Sequence, residues 1–236
     1  MISRLLSWLR PAAPALLPGH AARLAALRKG ITPDRDADLE QGRIVVVDVE
    51  STGLSLANDH LIAIGAVAMQ GGRIVLADSF EIVLRQDVAS GKDNILVHGI
   101  GGSAQREGVA PEDALLDFLQ YLDGAPLLAY HVSFDATMLR KAYKKYLGLD
   151  FRHAWADLAY VMPALFPAPV RRCHALDDWL KLFHVDNDAR HNALADALAT
   201  AQLGLMALRA ARAQKLARFR QLQEIEKGQR WLGAAG

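Results

Sequence analysis

Residues 44–54 read IVVVDVESTGL. The stretch opens as a buried strand would, with Ile44 and three valines, yet Asp48 and Glu50 interrupt it two positions apart. Side chains alternate faces along a strand, so Asp48 and Glu50 share one face while Val47 and Val49 share the other. Burying one carboxylate costs free energy, and burying two side by side costs more, because each opposes ionisation of the other. Taken alone, the pair admits two readings. It is an acidic strand end facing water, or it is a pair of oxygen ligands whose repulsion a cation relieves, Mg²⁺ being a cation commonly held by one or two carboxylates.

Outward from this strand, residues 60–86 hold two β-rich runs that flank QGG, where Gly71 and Gly72 supply the positive φ angles of a hairpin turn. Pro111 opens PEDALLDFLQYLDG, in which Ala114, Leu115, Phe118, Leu119 and Leu122 recur with helical period, and Gly124 ends it. APLLAY at 125–130 is a short buried strand feeding a helix that stops at Gly148. A further helix is expected in CHALDDWLKLFHV, and residues 190–227 read as one long helix, Ala-rich at its start. In its second half Leu216, Phe219, Leu222 and Ile225 recur every three residues, a spacing that drifts around a 3.6-residue helix. Largely antiparallel strands followed by helices interleaved with at least one more strand predict an α/β layer with a mixed sheet.

The 236 residues, 52% of them hydrophobic, suffice for one sizeable core with helical appendages. A single cysteine, Cys173, excludes a disulfide framework and suits a reducing cytoplasm. No apolar run reaches the ~20 residues of a membrane span. In the N-terminal stretch Arg10 and Pro11 interrupt the apolar run too early for a signal peptide, so an amphipathic surface segment or a frayed tail is expected. Residues 31–42, polar with Pro and Gly, read as a linker. Net charge is +1 overall, but residues 1–30 and 209–236 carry +5 each, which leaves −9 on residues 31–208. An acidic centre between basic ends suits a carboxylate site beside surfaces that meet a polyanion, although solvated helical ends give the same pattern.

Two other segments carry candidate chemistry. In LLAYHVSFDATML, residues 127–139, Asp135 falls in the first turn of a helix that follows a strand. It is a favourable helix-end charge there, or an acid at the carboxyl edge of a sheet, where α/β proteins build sites. In RHNALADALATAQLGL, residues 190–205, His191 stands at a helix entry and Asp196 lies five residues on. An exposed histidine suits a general base, and Ala193, Ala195 and Ala197 would let the helix approach a sheet closely.

The order DVESTGL, HVSFD, HNALAD resembles the three motifs of the DEDDh family of 3′→5′ exonucleases, which includes the epsilon proofreading subunit of DNA polymerase III, ribonuclease T and oligoribonuclease. Residues 43–208 carry the resemblance, with VHGIGG at 97–102 similar to the family's H-G-I-T and residues 174–187 similar to its S-L-D-x-L helix. The second motif departs from H-N-x-x-F-D, since Tyr130 and His131 stand at the usual His and Asn. HGIGG likewise lacks the threonine hydroxyl of H-G-I-T.

The resemblance implies a ribonuclease H-like fold, a mixed five-stranded sheet with helices on both faces. It implies an exonuclease domain at 43–208, between an N-terminal helical extension and linker (1–42) and a basic C-terminal helical extension (209–236). Asp48, Glu50, Asp135 and Asp196 would hold two divalent cations, Mg²⁺ or Mn²⁺, with His191 as general base and Thr52, Gly53 and Leu54 at the terminal nucleotide. The substrate would be a single-stranded or frayed 3′ end, DNA rather than RNA, and the product a nucleoside 5′-monophosphate. Asp157 matches a family residue that starts a helix and reads as a cap; His98 and His174 receive no chemical role. Two alternatives stand beside this expectation. One is a proofreading-type subunit working in a polymerase complex, with the basic terminal helices as the contact to a polymerase or other protein. The other is a non-catalytic nucleic-acid-binding module on a nuclease fold, whose mark would be a lost carboxylate.

Overall fold

The computed structural model describes residues 14–30, 32–168, 173, 175–187 and 189–234. Most of the N-terminal stretch considered as a targeting segment, and His174, lie outside the described residues. Three antiparallel strands come first: β1 (Ile44–Ser51), β2 (Leu61–Gln70) and β3 (Arg73–Val83). Gly71 and Gly72 turn the β2–β3 hairpin at φ of 60° and 67°, the left-handed pair that matches strand twist. Short strands β4 (Leu127–Ala129) and β5 (Trp155–Asp157) add in parallel beside β1, giving the order β3-β2-β1-β4-β5.

Alternation along β1 divides the molecule into two cores. Val45, Val47 and Val49 face one layer with α4 (Pro111–Leu122) and α5 (Val132–Leu147). Ile44 and Val46 face the other, with α6 (Leu158–Leu165), α7 (Leu176–Leu182) and α8 (Ala193–Ala213). Asp48 and Glu50 continue the second row, so the strand aims both at the start of α8. This is the ribonuclease H-like arrangement, a mixed five-stranded sheet with helices on both faces. Two short helices, α2 (Lys92–His98) and α3 (Gly102–Glu107), occupy the β3–α4 connection.

The long helix expected over 190–227 is two helices. Helix α8 ends at Ala213, Lys215 takes φ 65°, and α9 (Phe219–Ala234) begins after a tight turn. Gln221 Oε1 accepts the backbone N–H groups of Ala217 and Arg218 at 2.7 and 2.9 Å, satisfying donors that a new helix start leaves open. Phe219, Leu222 and Ile225 of the three-residue apolar recurrence belong to this second helix and Leu216 to the turn before it; the helix folds back, and Phe219 and Leu222 are fully buried. Helix α9 also covers the free edge of β5, with Gln223 Nε2 donating to the Trp155 carbonyl at 2.8 Å.

Residues 32–42, within the stretch 31–42 read as a linker, lie against this same turn. Ala37 and Leu39 are buried, Leu39 N donates to Ala217 O at 2.9 Å, and Phe219 N donates to Ala37 O at 3.0 Å. Helix α1 (Pro18–Gly30) rests on α4 through buried Leu24 and the Arg23–Asp117 pair at 2.7 Å. Among the described residues no helix is long and apolar enough to cross a membrane.

Burial of the C-terminal helix gives a stability prediction. Phe219→Ala should lower the free energy of unfolding by about 3–5 kcal/mol, the usual cost of emptying an aromatic core position. Denaturant unfolding measures it, and a loss below ~0.5 kcal/mol would mean that α9 is a solvated tail.

Candidate active site

The site forms where β1 and β4 end beneath the entrances of α5 and α8. Asp48 sits opposite Gly65 on β2, and Glu50 opposite Ala63. Gly65 is the close-approach point: a Cβ there would fall 2.1 Å from the Ala193 carbonyl carbon and the Leu194 nitrogen. Its missing side chain, with buried Ala193 and Ala197, lets the first turn of α8 lie on the sheet. Ala195, grouped with these two in the sequence, is only partly buried. The register of β1 on β2 shifts between Glu50 and Ser51, turning the chain into the 52–60 loop at the site's edge.

Asp48, Glu50 and Asp196 each place a carboxylate oxygen within 4.8 Å of the others. Asp135, buried in the first turn of α5, lies outside that set but near enough for its charge to act on Asp48. Strand β4 ends at Ala129, and the Val49 backbone lies near enough to Asp135 to favour its charged form. Asp196 Oδ1 accepts from Asn187 Nδ2 and from Arg190 Nη1, and Oδ2 accepts the His191 N–H at 2.8 Å. His191 holds φ 63° just before the Asn192 cap of α8, and its imidazole is exposed.

Crowding of acids shows in their proton affinities. Burial, then the charges of Asp135, Asp196 and Glu50, push Asp48 well above the usual carboxylate range. Burial, then Asp196, raises Glu50 to about 8. Burial raises Asp135 to about 8 as well, with Asp157 and Glu50 adding to it and backbone hydrogen bonds opposing it. Arg190 is the cation that opposes the shifts at Asp48 and Glu50. A converging set of carboxylate oxygens that resists ionisation for lack of positive charge fits a hard divalent cation, and no softer donor competes for one in this set.

The segment expected at the terminal nucleotide is tied down by its neighbours. Thr52 Oγ1 donates to Asp59 Oδ1 at 2.8 Å, and Ser55 N donates to Asp59 Oδ2 at 2.7 Å. Asn94 Nδ2 on α2 donates to the Thr52 carbonyl. Lys141 on α5 donates to the carbonyls of Leu56, Ala57 and Asp59 at 2.8, 3.0 and 2.8 Å. The close approach that Gly53 permits is that of Asp59, whose carboxylate oxygen would lie 2.7 Å from a Cβ there. Leu54 is 88% exposed and offers its side chain to the outside.

Asp157 caps α6 through Ala159 N at 3.0 Å, as read from the sequence, and holds more besides. It accepts the His131 N–H at 2.9 Å, which pins the left-handed residue entering α5, and pairs with Arg230 of α9 at 2.8 Å. This brace stands in the departed second motif. His98 is buried and fastens its own loop, accepting from Ile100 N at Nδ1 and meeting Ser90 Oγ at Nε2. The missing threonine hydroxyl leaves Gly101 at the start of α3 with no side-chain cap.

Sequence reasoning missed Gly65, Asp59, Lys141, Asn187 and Arg190. Gly65 carried a signal, a lone glycine inside a strand, which marks a close backbone approach. The rest are ordinary polar residues whose partners are fixed only by the fold.

The raised carboxyls make a pH prediction for protein held in EDTA. From about pH 4.5 to about 8 these carboxyls keep protons in the folded state that the unfolded chain has released, so their contribution to stability must fall as pH rises through that window. Asp59 and Asp78, lowered by hydrogen bonds, act below about pH 4. Burial lowers His153 to about 4 and also lowers His98, so these two histidines add stability as pH rises toward about 6.5 and oppose the carboxyls there. Thermal midpoints should therefore decline between about pH 6.5 and 8 in wild type and less steeply in Glu50→Gln. A midpoint that rises across this range contradicts the electrostatics described.

Comparison with known proteins agrees with this architecture. A family model described as exonuclease, RNase_T, matches residues 45–203. The chain is 32% identical over 173 residues to the DNA polymerase III PolC-type of Caldanaerobacter subterraneus subsp. tengcongensis, covering 73% of this chain and 12% of that protein. It is 29% identical over 198 residues to a DNA polymerase III subunit epsilon-like protein of Rhodobacter capsulatus, covering 81% of this chain and 27% of that one. The chain thus spans well under a third of the length of these relatives. Among solved structures, E. coli exonuclease I in complex with a dT13 oligonucleotide superposes with a TM-score of 0.62 at 17% identity, over 74% of this chain and 42% of that one. The zinc-bound exonuclease I–ssDNA complex does so at 0.59 and 20%, over 72% and 41%. These likenesses concern the fold, while the family model spans more than half of the sequence and places this chain in the RNase_T exonuclease family.

Proposed function

We propose that this nuclease removes nucleotides from the 3′ ends of single-stranded or frayed DNA and releases nucleoside 5′-monophosphates. The observation that carries this reading is the convergence of Asp48, Glu50 and Asp196 within 4.8 Å, with Asp135 beside them and an exposed histidine at the rim. Such a set suits Mg²⁺ or Mn²⁺, and we assign two ions to these four acids. When bound, the ions supply positive charge to the attacking and leaving oxygens of an in-line displacement.

The protein's own groups do the rest. Strand β1 fixes two ligands in one direction, and α5 and α8 each bring one more. Asp196 anchors the backbone of His191, which leaves its imidazole in water to accept the proton of the attacking water. The loop at Thr52 and Gly53, stiffened by Asp59 and Lys141, presents the exposed Leu54 as an apolar face to a base or sugar. A 3′ rather than 5′ end, and DNA rather than RNA, agree with the polymerase III names of the relatives.

Those names also favour a second reading, a proofreading subunit active in a polymerase complex. In that case the segments flanking residues 43–208 supply the protein contact. A non-catalytic module is disfavoured, since all four acids and His191 are present. A cytoplasmic setting belongs to the same proposal and rests on the single cysteine.

The test is digestion of 5′-labelled single-stranded DNA, single-stranded RNA and a 3′-mismatched duplex. A ladder shortening from the 3′ end should appear only with Mg²⁺ or Mn²⁺. Asp48→Ala and Asp135→Ala should abolish it, and His191→Ala should slow it by about 10²–10⁴-fold. Cleavage in EDTA, or full activity in either aspartate variant, would sink the assignment.

A further inference from the structure

We infer that Arg190 is a resident counter-cation of the acidic site, which a divalent ion must displace from Asp196, and that it thereby sets how tightly the site takes metal. The inference rests on the metal-binding reading above and adds a residue to it.

Three observations carry it. First, Asp196 Oδ1 already accepts two donors, Asn187 Nδ2 and Arg190 Nη1 at 2.9 Å. A carboxylate oxygen has two lone-pair positions, so Oδ1 is fully used while Arg190 stays. Its other oxygen, Oδ2, keeps one position beside the His191 N–H. An ion bound there would still face the guanidinium charge next to it, so either oxygen sets the metal against Arg190.

Second, Arg190 is held from two sides. Its Nη2 meets Asp177 Oδ1 of α7 at 3.2 Å while Nη1 meets Asp196, a fork that suits two separate acids. The side chain is 36% exposed, so the guanidinium has solvent to move into when it leaves. Asp177 is 52% exposed and outside the ligand set, and serves as a place to stay.

Third, position makes displacement local. Arg190 sits in the turn before α8 and is anchored to α8 only through its side chain and the neighbouring backbone. Releasing it requires rotation about side-chain bonds and no movement of β1, α5 or α8. Until that happens, one positive charge partly offsets the clustered acids, opposing the upward shifts at Asp48 and Glu50.

Isothermal titration of EDTA-stripped protein with Mn²⁺ tests the exchange. Arg190→Gln should bind Mn²⁺ about five- to tenfold more tightly than wild type, as expected for removing a partly screened charge beside a dication. Arg190→Lys, which keeps the charge but loses the fork between Asp177 and Asp196, should bind Mn²⁺ more tightly than wild type and less tightly than Arg190→Gln. The metal-free midpoint of Arg190→Gln should drop, and its rise on adding Mn²⁺ should exceed that of wild type. In the wild-type protein itself, side-chain arginine NMR should show slowed guanidinium rotation for Arg190 in EDTA and its release on adding Mg²⁺, a readout that needs no variant to fold. Equal or weaker Mn²⁺ affinity in Arg190→Gln, or an Arg190 signal unmoved by Mg²⁺, overturns this inference and leaves the metal site standing. Absence of any Mn²⁺ binding in wild type overturns both.

Discussion

Like charges brought close in a poorly solvated crevice repel, and this repulsion is the constraint on which the site depends. Two unit charges about 4 Å apart oppose each other by about 4 kcal/mol at an effective dielectric of ~20. Asp48, Glu50 and Asp196 converge within 4.8 Å, and Asp135 adds a fourth charge. The fold answers in three ways. Protons are retained on Asp48, Glu50 and Asp135 well above the ordinary carboxylate range. Donors from Asn187, Arg190 and His191 converge on Asp196. Arg190 brings in one positive charge. None of these uses all the oxygens together, and the demand for a cation follows from what is left.

Holding the acids together against that repulsion falls to packing some distance away. Strand β1 is buried on both faces, so its valines fix the aim of Asp48 and Glu50. Helix α8 reaches the sheet only because Gly65 has no side chain and Ala193 and Ala197 have small ones. Helix α5 is positioned at its entry by Asp157, which Arg230 of the last helix pairs with from the opposite side. Arg230 also stacks on Tyr160 at 3.8 Å. The C-terminal helix therefore supports the second motif, although it lies beyond the residues matched by the family model.

The sequence made the three acidic segments legible because strand alternation and helix entry are local rules. Asp48 and Glu50 share a face for reasons two residues long, and Asp135 falls at a helix start because a short buried strand precedes it. The hairpin at Gly71–Gly72 and the stop at Gly148 were legible for the same reason. The break between α8 and α9 was not, because no Gly or Pro marks it. Lys215 takes a left-handed conformation there, held by the burial of Phe219 and Leu222 in a core assembled from distant segments. Gly53 was expected at the terminal nucleotide, and the need for a glycine there against Asp59, six residues on, was not legible because Asp59's return depends on the loop's fold. Arg190 was legible only as one more basic residue, since its meaning comes from Asp177 and Asp196 meeting it from two helices.

The central claim is that these four acids form one cation site. Anomalous scattering at the manganese edge, from crystals of the protein soaked in Mn²⁺ with a nucleoside 5′-monophosphate, tests it most directly. The expected result is manganese density among Asp48, Glu50, Asp135 and Asp196. Strong density for the nucleotide with no manganese peak among these carboxylates, or a peak on other residues alone, would contradict it.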